Sequence, residues 1–264
     1  MSEESKRIYR IAMGIEYDGS HYLGWQSQSE GETVQQNVER ALSKVANHDV
    51  KVFCAGRTDT GVHANEQVIH FETTSYRKAY SWVNGHNTNV AKSISCLWAE
   101  EVPESFHARF SAIKRTYRYT ILNRKIRPSI LNNYVSFVYQ PLDEKRMQQA
   151  AKHLLGEHDF TSYRTVACQA KSPVRTLYQL DVTREGEFIH LDLQANGFLH
   201  HMVRNIAGVL IKIGAGEAEV DWSKEVLEHR NRCLGGVTAS AKGLYFKKVT
   251  YPGEFILPSI YNEK

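Results

Sequence analysis

The chain is short of several features, and each shortage narrows what it can be. Only four cysteines occur in 264 residues, Cys54, Cys96, Cys168 and Cys233. They lie far apart with no paired spacing, which indicates neither a zinc knuckle nor a disulfide framework. Reduced, mostly buried thiols are expected. Long apolar runs are missing as well. The longest apolar helical stretch, residues 199–213, is interrupted by His200, His201, Arg204, Asn205 and Lys212, which excludes a membrane span. The first residues, Met1-Ser-Glu-Glu-Ser-Lys-Arg7, hold no apolar core, so no secretory signal is expected and the cytoplasm is the expected location. There is no glycine-rich phosphate loop or dinucleotide fingerprint, so no nucleotide cofactor is expected. His63, His70, His200 and His201 lack the carboxylate or spacing of a zinc site, and no metal is expected either.

Acidic residues are not scarce overall, but two windows have none. Net charge is only +4, from 33 Lys+Arg against 29 Asp+Glu, too mild by itself to argue for nucleic acid. Residues 105–129, however, carry Arg109, Lys114, Arg115, Arg118, Arg124, Lys125 and Arg127 with no Asp or Glu, interleaved with Phe106, Phe110, Tyr117 and Tyr119. Residues 160–180 are a second acid-free window, with Arg164, Lys171 and Arg175. Cations alternating with aromatic rings suit a phosphate backbone whose bases can stack.

What is present reads as a globular α/β chain, 42% hydrophobic and 23% charged, long enough for one large domain or two ordinary ones. Ile11, Met13, Ile15 and Tyr17 recur at the two-residue period of a strand that ends at Asp18-Gly19. Thr33 and Gln36 form a capping box ahead of the apolar helical face Val34, Val38, Ala41, Leu42 and Val45. A strand at residues 68–71, a short helix capped by Ser75 and a strand at 94–102 complete a β-α-β-β-α-β outline. Residues 103–112 read as a crossover. The second half repeats the mixed plan, with strands at 115–122, 174–183, 188–195 and 244–251. Its helices are one whose face is Met147, Ala150, Ala151, Leu154 and Leu155, one at 199–213, and one capped by Asp221. The expected division is residues 1–105 and 106–264.

The most informative stretch is Val52-Phe-Cys-Ala-Gly-Arg-Thr-Asp-Thr-Gly-Val-His-Ala64. Val50, Val52 and Cys54 share one strand face, so the polar residues after them fall in a loop held by strands, where chemistry is usually placed. Gly56 and Gly61 bracket Arg57-Thr58-Asp59-Thr60 and allow a tight path that presents the Asp59 carboxylate. Read alone, Asp59 would cap a turn.

This loop resembles the active-site box of the tRNA pseudouridine synthase A family, in which Ala-Gly-Arg-Thr-Asp precedes a small residue and Gly-Val-His-Ala. Thr60 stands where the family most often has Ala. The resemblance extends along nearly the whole chain. It takes in Gly14-Ile-Glu-Tyr-Asp-Gly19, Gly24-Trp-Gln26, Phe106-His-Ala-Arg-Phe-Ser-Ala112, Arg115-Thr-Tyr-Arg-Tyr119, Leu155-Gly-Glu-His-Asp-Phe-Thr-Ser162, Phe198-Leu-His-His-Met-Val-Arg-Asn-Ile206 and Gly243-Leu-Tyr245. Gly197 is a small departure where relatives carry Ala.

The resemblance implies a pseudouridine synthase fold, two mixed α/β halves with largely antiparallel sheets flanking a basic cleft. It implies Asp59 as the catalytic carboxylate and Arg204 as its ion-pair partner. Tyr117 would stack on the target base, Leu244 would wall the pocket, and Arg57 would help to displace the nucleotide. Arg109, Lys114, Arg115, Arg118, Arg164, Lys171 and Arg175 are then the expected RNA-binding patch. Also implied are a homodimer, tRNA as substrate, uridines at about positions 38–40 of the anticodon stem-loop reached by flipping the base, and no cofactor. Two other readings of the residues stand beside this one. In the first, Asp59 is structural and the protein binds RNA without catalysis. In the second, Asp59-Thr60-Gly61 serves an aspartic-type hydrolase, although such a site needs two carboxylates and only one Asp-Thr-Gly occurs.

Overall fold

The computed structural model describes residues 7–259. In chain order the regular elements are β1 (Tyr9–Tyr17), α1 (Val34–Ala46), β2 (Phe53–Cys54), β3 (His63–Thr73), α2 (Ala79–Asn89), β4 (Ile94–Val102), β5 (Lys114–Asn123), β6 (Ser136–Val138), α3 (Glu144–Lys152), β7 (Gly156–Asp159), β8 (Val174–Glu185), β9 (Phe188–Ala195), α4 (Met202–Gly214), α5 (Trp222–His229) and β10 (Leu244–Thr250). They fall into two compact units. One holds the described residues up to Ile113 and those from Phe246 onward; the other is Lys114–Tyr245. No described helix is long and apolar enough to cross a membrane.

In the first unit the strands run in the order β4-β1-β3-β10, with β2 paired to β3. β1 is antiparallel to both β3 and β4. Its expected inward set, Ile11, Met13, Ile15 and Tyr17, is buried. Ala12 is buried as well, and Gly14 with it, because the opposite face is also covered. A Cβ on Gly14 would stand 2.2 Å from Nε1 of Trp98, whose indole donates to the buried Glu66 carboxylate at 2.8 Å. That close approach requires glycine. The capping box of α1 is formed, with Thr33 N–H donating to Gln36 Oε1 at 3.1 Å and Gln36 N–H to Thr33 Oγ1 at 3.4 Å. Val34, Val38, Ala41 and Leu42 are buried beneath it.

α2 begins later than Ser75 suggests. It starts at Ala79 after an uncapped Lys78, because the Ser75 hydroxyl donates instead to the Ala46 carbonyl at 2.5 Å, at the end of α1. An orphan carbonyl at a helix C-terminus has taken the group that the next helix could have used.

In the second unit β5-β9-β8-β7 form an antiparallel sheet, with β6 parallel to the end of β5. β8 and β9 are a hairpin whose turn contains Gly186 at φ 60°. Two helices are shorter than their apolar patterns. α3 stops at Lys152, and Gly156 opens a strand instead of ending the helix. α4 starts at Met202 because His201, at φ 62°, holds the left-handed conformation before it. Asp221 precedes α5 without a side-chain capping bond.

Candidate functional site

The loop between β2 and β3 is braced from below and from both sides. Its last ladder bond is Ala55 N–H to the Val68 carbonyl at 2.8 Å. Then the fully buried amide of Gln67 grips the Gly56 backbone at both ends, Nε2 donating to the carbonyl at 2.5 Å and Oε1 accepting from the N–H at 3.3 Å. Thr58 turns inward. Its hydroxyl lies 2.8 Å from the buried Tyr17 phenol, and its carbonyl accepts from Trp25 N–H at 3.0 Å.

The two neighbours of Thr58 are left outward, Arg57 exposed and Asp59 half-buried. The turn closes on Asp59's own carbonyl, which accepts from Val62 N–H at 3.1 Å, and Gly61 supplies φ 77°. From the sides, Gly24 at φ 87° comes so near that a Cβ would lie 2.6 Å from the Thr58 carbonyl. A Cβ on Gly19 would be 1.9 Å from the Val62 carbonyl, and Gly19 N–H donates to His63 Nδ1 at 3.1 Å. Three separate sequence motifs therefore converge to hold one carboxylate-bearing segment.

Two neighbouring groups, the Tyr17 phenol and the Cys54 thiol, are kept neutral. Burial raises the Tyr17 phenol, opposed by its bonds to Thr58 and Gln67. Burial likewise pushes the Cys54 thiol up to about 12, although Arg57 and Arg109 pull the other way. Such a thiol is no nucleophile.

The second unit holds the other expected site residues. Tyr117 on β5 is buried opposite Leu193, its ring edge-on to Phe198 at 4.9 Å. Arg204, in the first turn of α4, is half-buried, and its Nε donates to the Ala239 carbonyl at 2.9 Å while Ala239 N–H donates to the Arg204 carbonyl at 3.1 Å. It is thus drawn inward instead of standing on a wet helix face. Leu244 is buried at the start of β10. Just before it, within the same unit, Gly243 packs against β5, where a Cβ on it would meet the Thr120 carbonyl.

The expected cationic patch is less uniform than its sequence. Arg109 and Lys171 are exposed; Lys114, Arg115, Arg118, Arg164 and Arg175 are half-buried. Arg118 makes a two-pronged ion pair with Asp192 on β9, both prongs at 2.8 Å. Arg115 donates to the Asn196 carbonyl at 3.0 Å, and Arg175 to the Ser172 carbonyl at 3.0 Å. Arg124 meets Glu187 at 3.1 Å. Strand pairing has brought acids from outside the acid-free windows.

The family model described as tRNA pseudouridine synthase matches residues 13–111 and 150–252, most of the chain and all of the loop just described. The chain belongs to the tRNA pseudouridine synthase family. Among its relatives, proteins named tRNA pseudouridine synthase A from Nitrosococcus oceani, Vibrio parahaemolyticus and Coxiella burnetii are 56%, 54% and 55% identical. The matches cover 95%, 95% and 94% of this chain, and 97%, 95% and 95% of the relatives. The mixed α/β architecture with mostly antiparallel strands agrees with the pseudouridine synthase fold.

Sequence reasoning about this family member passed over Tyr17, Gln67 and Thr58, the buried polar groups under the loop. One signal was available. A Gln inside the run Gln67-Val-Ile-His-Phe71 that proves wholly buried must have its amide satisfied by some backbone nearby.

Proposed function

We propose that this protein isomerises uridine to pseudouridine in tRNA, with Asp59 as the catalytic carboxylate. The reaction breaks the N1–C1′ glycosidic bond and joins C5 of the same uracil to C1′; the C5 proton leaves and N1 gains one. Atoms and charge balance without oxidant, reductant or energy source, so the protein's task is to free the base, hold it and return it turned. A carboxylate serves this chemistry by adding to the base or by capturing C1′. The observation that carries the reading is the braced loop. Thr58 anchored to Tyr17 leaves Arg57 exposed on one side of it and Asp59 half-buried on the other, a cation and a carboxylate flanking one anchored residue.

The remaining roles belong to the same proposal. Arg57 helps to displace the target nucleotide, since a base cannot be attacked inside a stacked helix. Arg204 pairs with Asp59 and keeps it ionised once RNA excludes water, and a guanidinium already drawn inward is suited to that. Tyr117, fixed by Phe198, offers the ring on which the uracil stacks, and Leu244 supplies the apolar wall. Arg109, Lys114, Arg115, Arg164, Lys171 and Arg175, with a smaller share from the already neutralised Arg118, hold the phosphates. The substrate uridines are those at about positions 38–40 of the anticodon stem-loop. The enzyme acts as a homodimer in the cytoplasm.

The deciding experiment is the pseudouridine content of an unmodified tRNA transcript after incubation with wild type or Asp59→Asn, read at each uridine of the anticodon arm. Product with wild type and none with the variant is expected. Binding without product from either protein would leave an RNA-binding protein and return Asp59 to a structural turn.

A further inference from the structure

Beside the loop, the first unit carries an aromatic stack that the catalytic roles above do not use. Phe53 on β2 lies opposite His70 on β3, their rings stacked at 5.1 Å and 22°. His107 stands 4.5 Å from His70 and 5.6 Å from Phe53, and Phe110 stands 4.4 Å from His107. His70 is buried at the base of the stack, whereas Phe53 is 54% and Phe110 76% exposed.

Both imidazoles are neutral by their hydrogen bonds. His70 Nδ1 accepts from Ala108 N–H at 3.1 Å. His107 Nδ1 accepts from the N–H groups of Arg109 and Phe110 at 3.1 and 3.3 Å. A ring nitrogen whose lone pair is so used carries no proton. Burial, the neighbouring His107 and Arg10 agree with this, pushing His70 down to about 4.

The surface is therefore uncharged and aromatic, with positive charge at its edge. The Arg109 guanidinium lies 5.5 Å from the Phe110 ring centre, and the charges of both Arg57 and Arg109 reach Cys54, the residue after Phe53. Two exposed rings are too little for a protein partner. Aromatic side chains bury about 150–250 Å² each, and a stable interface needs about 800 Å² per side. Flat neutral rings edged by guanidinium match one nucleotide.

We propose that Phe53, His107 and Phe110 form a stacking platform for one unpaired base of the RNA substrate, with Arg109 at its phosphate edge. The platform rests on the reading that this protein acts on tRNA, and it lies beside the loop that carries Arg57 and Asp59. The base it holds is a neighbour of the target, kept out of the stem while the uridine is withdrawn.

The test measures equilibrium binding of an unmodified tRNA transcript, and of transcripts each carrying one abasic site in the anticodon arm, to wild type, Phe53→Ala, Phe53→Trp and Phe110→Ala. Wild type is assayed first for binding and product; failure there overturns the reading of function and the platform with it. With wild type active, Phe53→Ala and Phe110→Ala should each weaken binding about tenfold, while Phe53→Trp stays near wild type. One abasic position should abolish the effect of Phe53→Ala. Thermal melts accompany each variant, because a role confined to packing would lower the melting temperature and leave affinity unchanged. That outcome, an equal loss with every abasic transcript, or a change confined to oligomeric state would overturn the platform.

Discussion

Gln67→Leu removes the grip on Gly56 at nearly constant volume. The side chain is fully buried and makes two hydrogen bonds to the Gly56 backbone. Each such bond contributes about 1 kcal/mol net, and groups left unpaired add to the cost. Leucine restores some apolar burial, so the expected destabilisation is about 2 kcal/mol. For a chain of this size that lowers the melting temperature by about 4–8 °C. The effect on turnover should be larger in proportion. Asp59 is three residues from Gly56, and a displacement of about 1 Å at a reacting group costs about 100-fold.

Steady-state pseudouridine formation on a tRNA transcript should therefore show kcat reduced about 10- to 100-fold with KM nearly unchanged. Tyr17→Phe, which loses only the phenol end of the network, should fall between the variant and wild type. A Gln67→Leu protein that melts lower but turns over at the wild-type rate would refute the idea that this clamp positions Asp59.

Three further outcomes follow from the geometry. Gly24→Ala combines a left-handed backbone with a Cβ 2.6 Å from the Thr58 carbonyl, and should cost about 2–4 kcal/mol, seen as a lower denaturation midpoint, together with lost activity. His70 has its ordinary value of 6.5 when unfolded and about 4 when folded. Between these the unfolded chain binds a proton that the folded chain refuses, so stability is full above about 6.5 and falls as pH drops toward 4. His70→Asn, which retains an acceptor for Ala108 N–H, should lessen the difference between urea midpoints at about pH 7 and pH 5; an unchanged difference would place the effect elsewhere. Lys171→Ala should reduce the salt dependence of tRNA binding by about one phosphate contact. Arg118→Met should reduce it less, because Asp192 already matches that charge, and equal slopes would count against the ion pair persisting in solution.

Much of the fold was legible because short-range forces set it. The capping box at Thr33 and Gln36, the two-residue period of β1 and the Gly186 hairpin are each satisfied within a few residues of chain. Where local signals misled, a distant group had intervened. Ser75 was drawn to the carbonyl of Ala46, and the 124–139 segment contains the short strand β6, whose partner lies on β5. The charge windows were real in sequence, but Asp192 and Glu187 entered them through strand pairing and a turn, which no linear window records.

By itself the sequence determined the family, the order of the elements in its first half, and the loop that holds Arg57, Thr58 and Asp59 between glycines. Tertiary structure alone decided how that loop is held, because Tyr17, Gly24 and Gln67 reach it from three places in the chain. It also returned the chain beyond Tyr245 to the first unit, where β10 lies next to β3. Such contacts are chosen by which buried polar groups can pair and which backbones can approach once the strands are packed. A local pattern of residue types does not encode that selection.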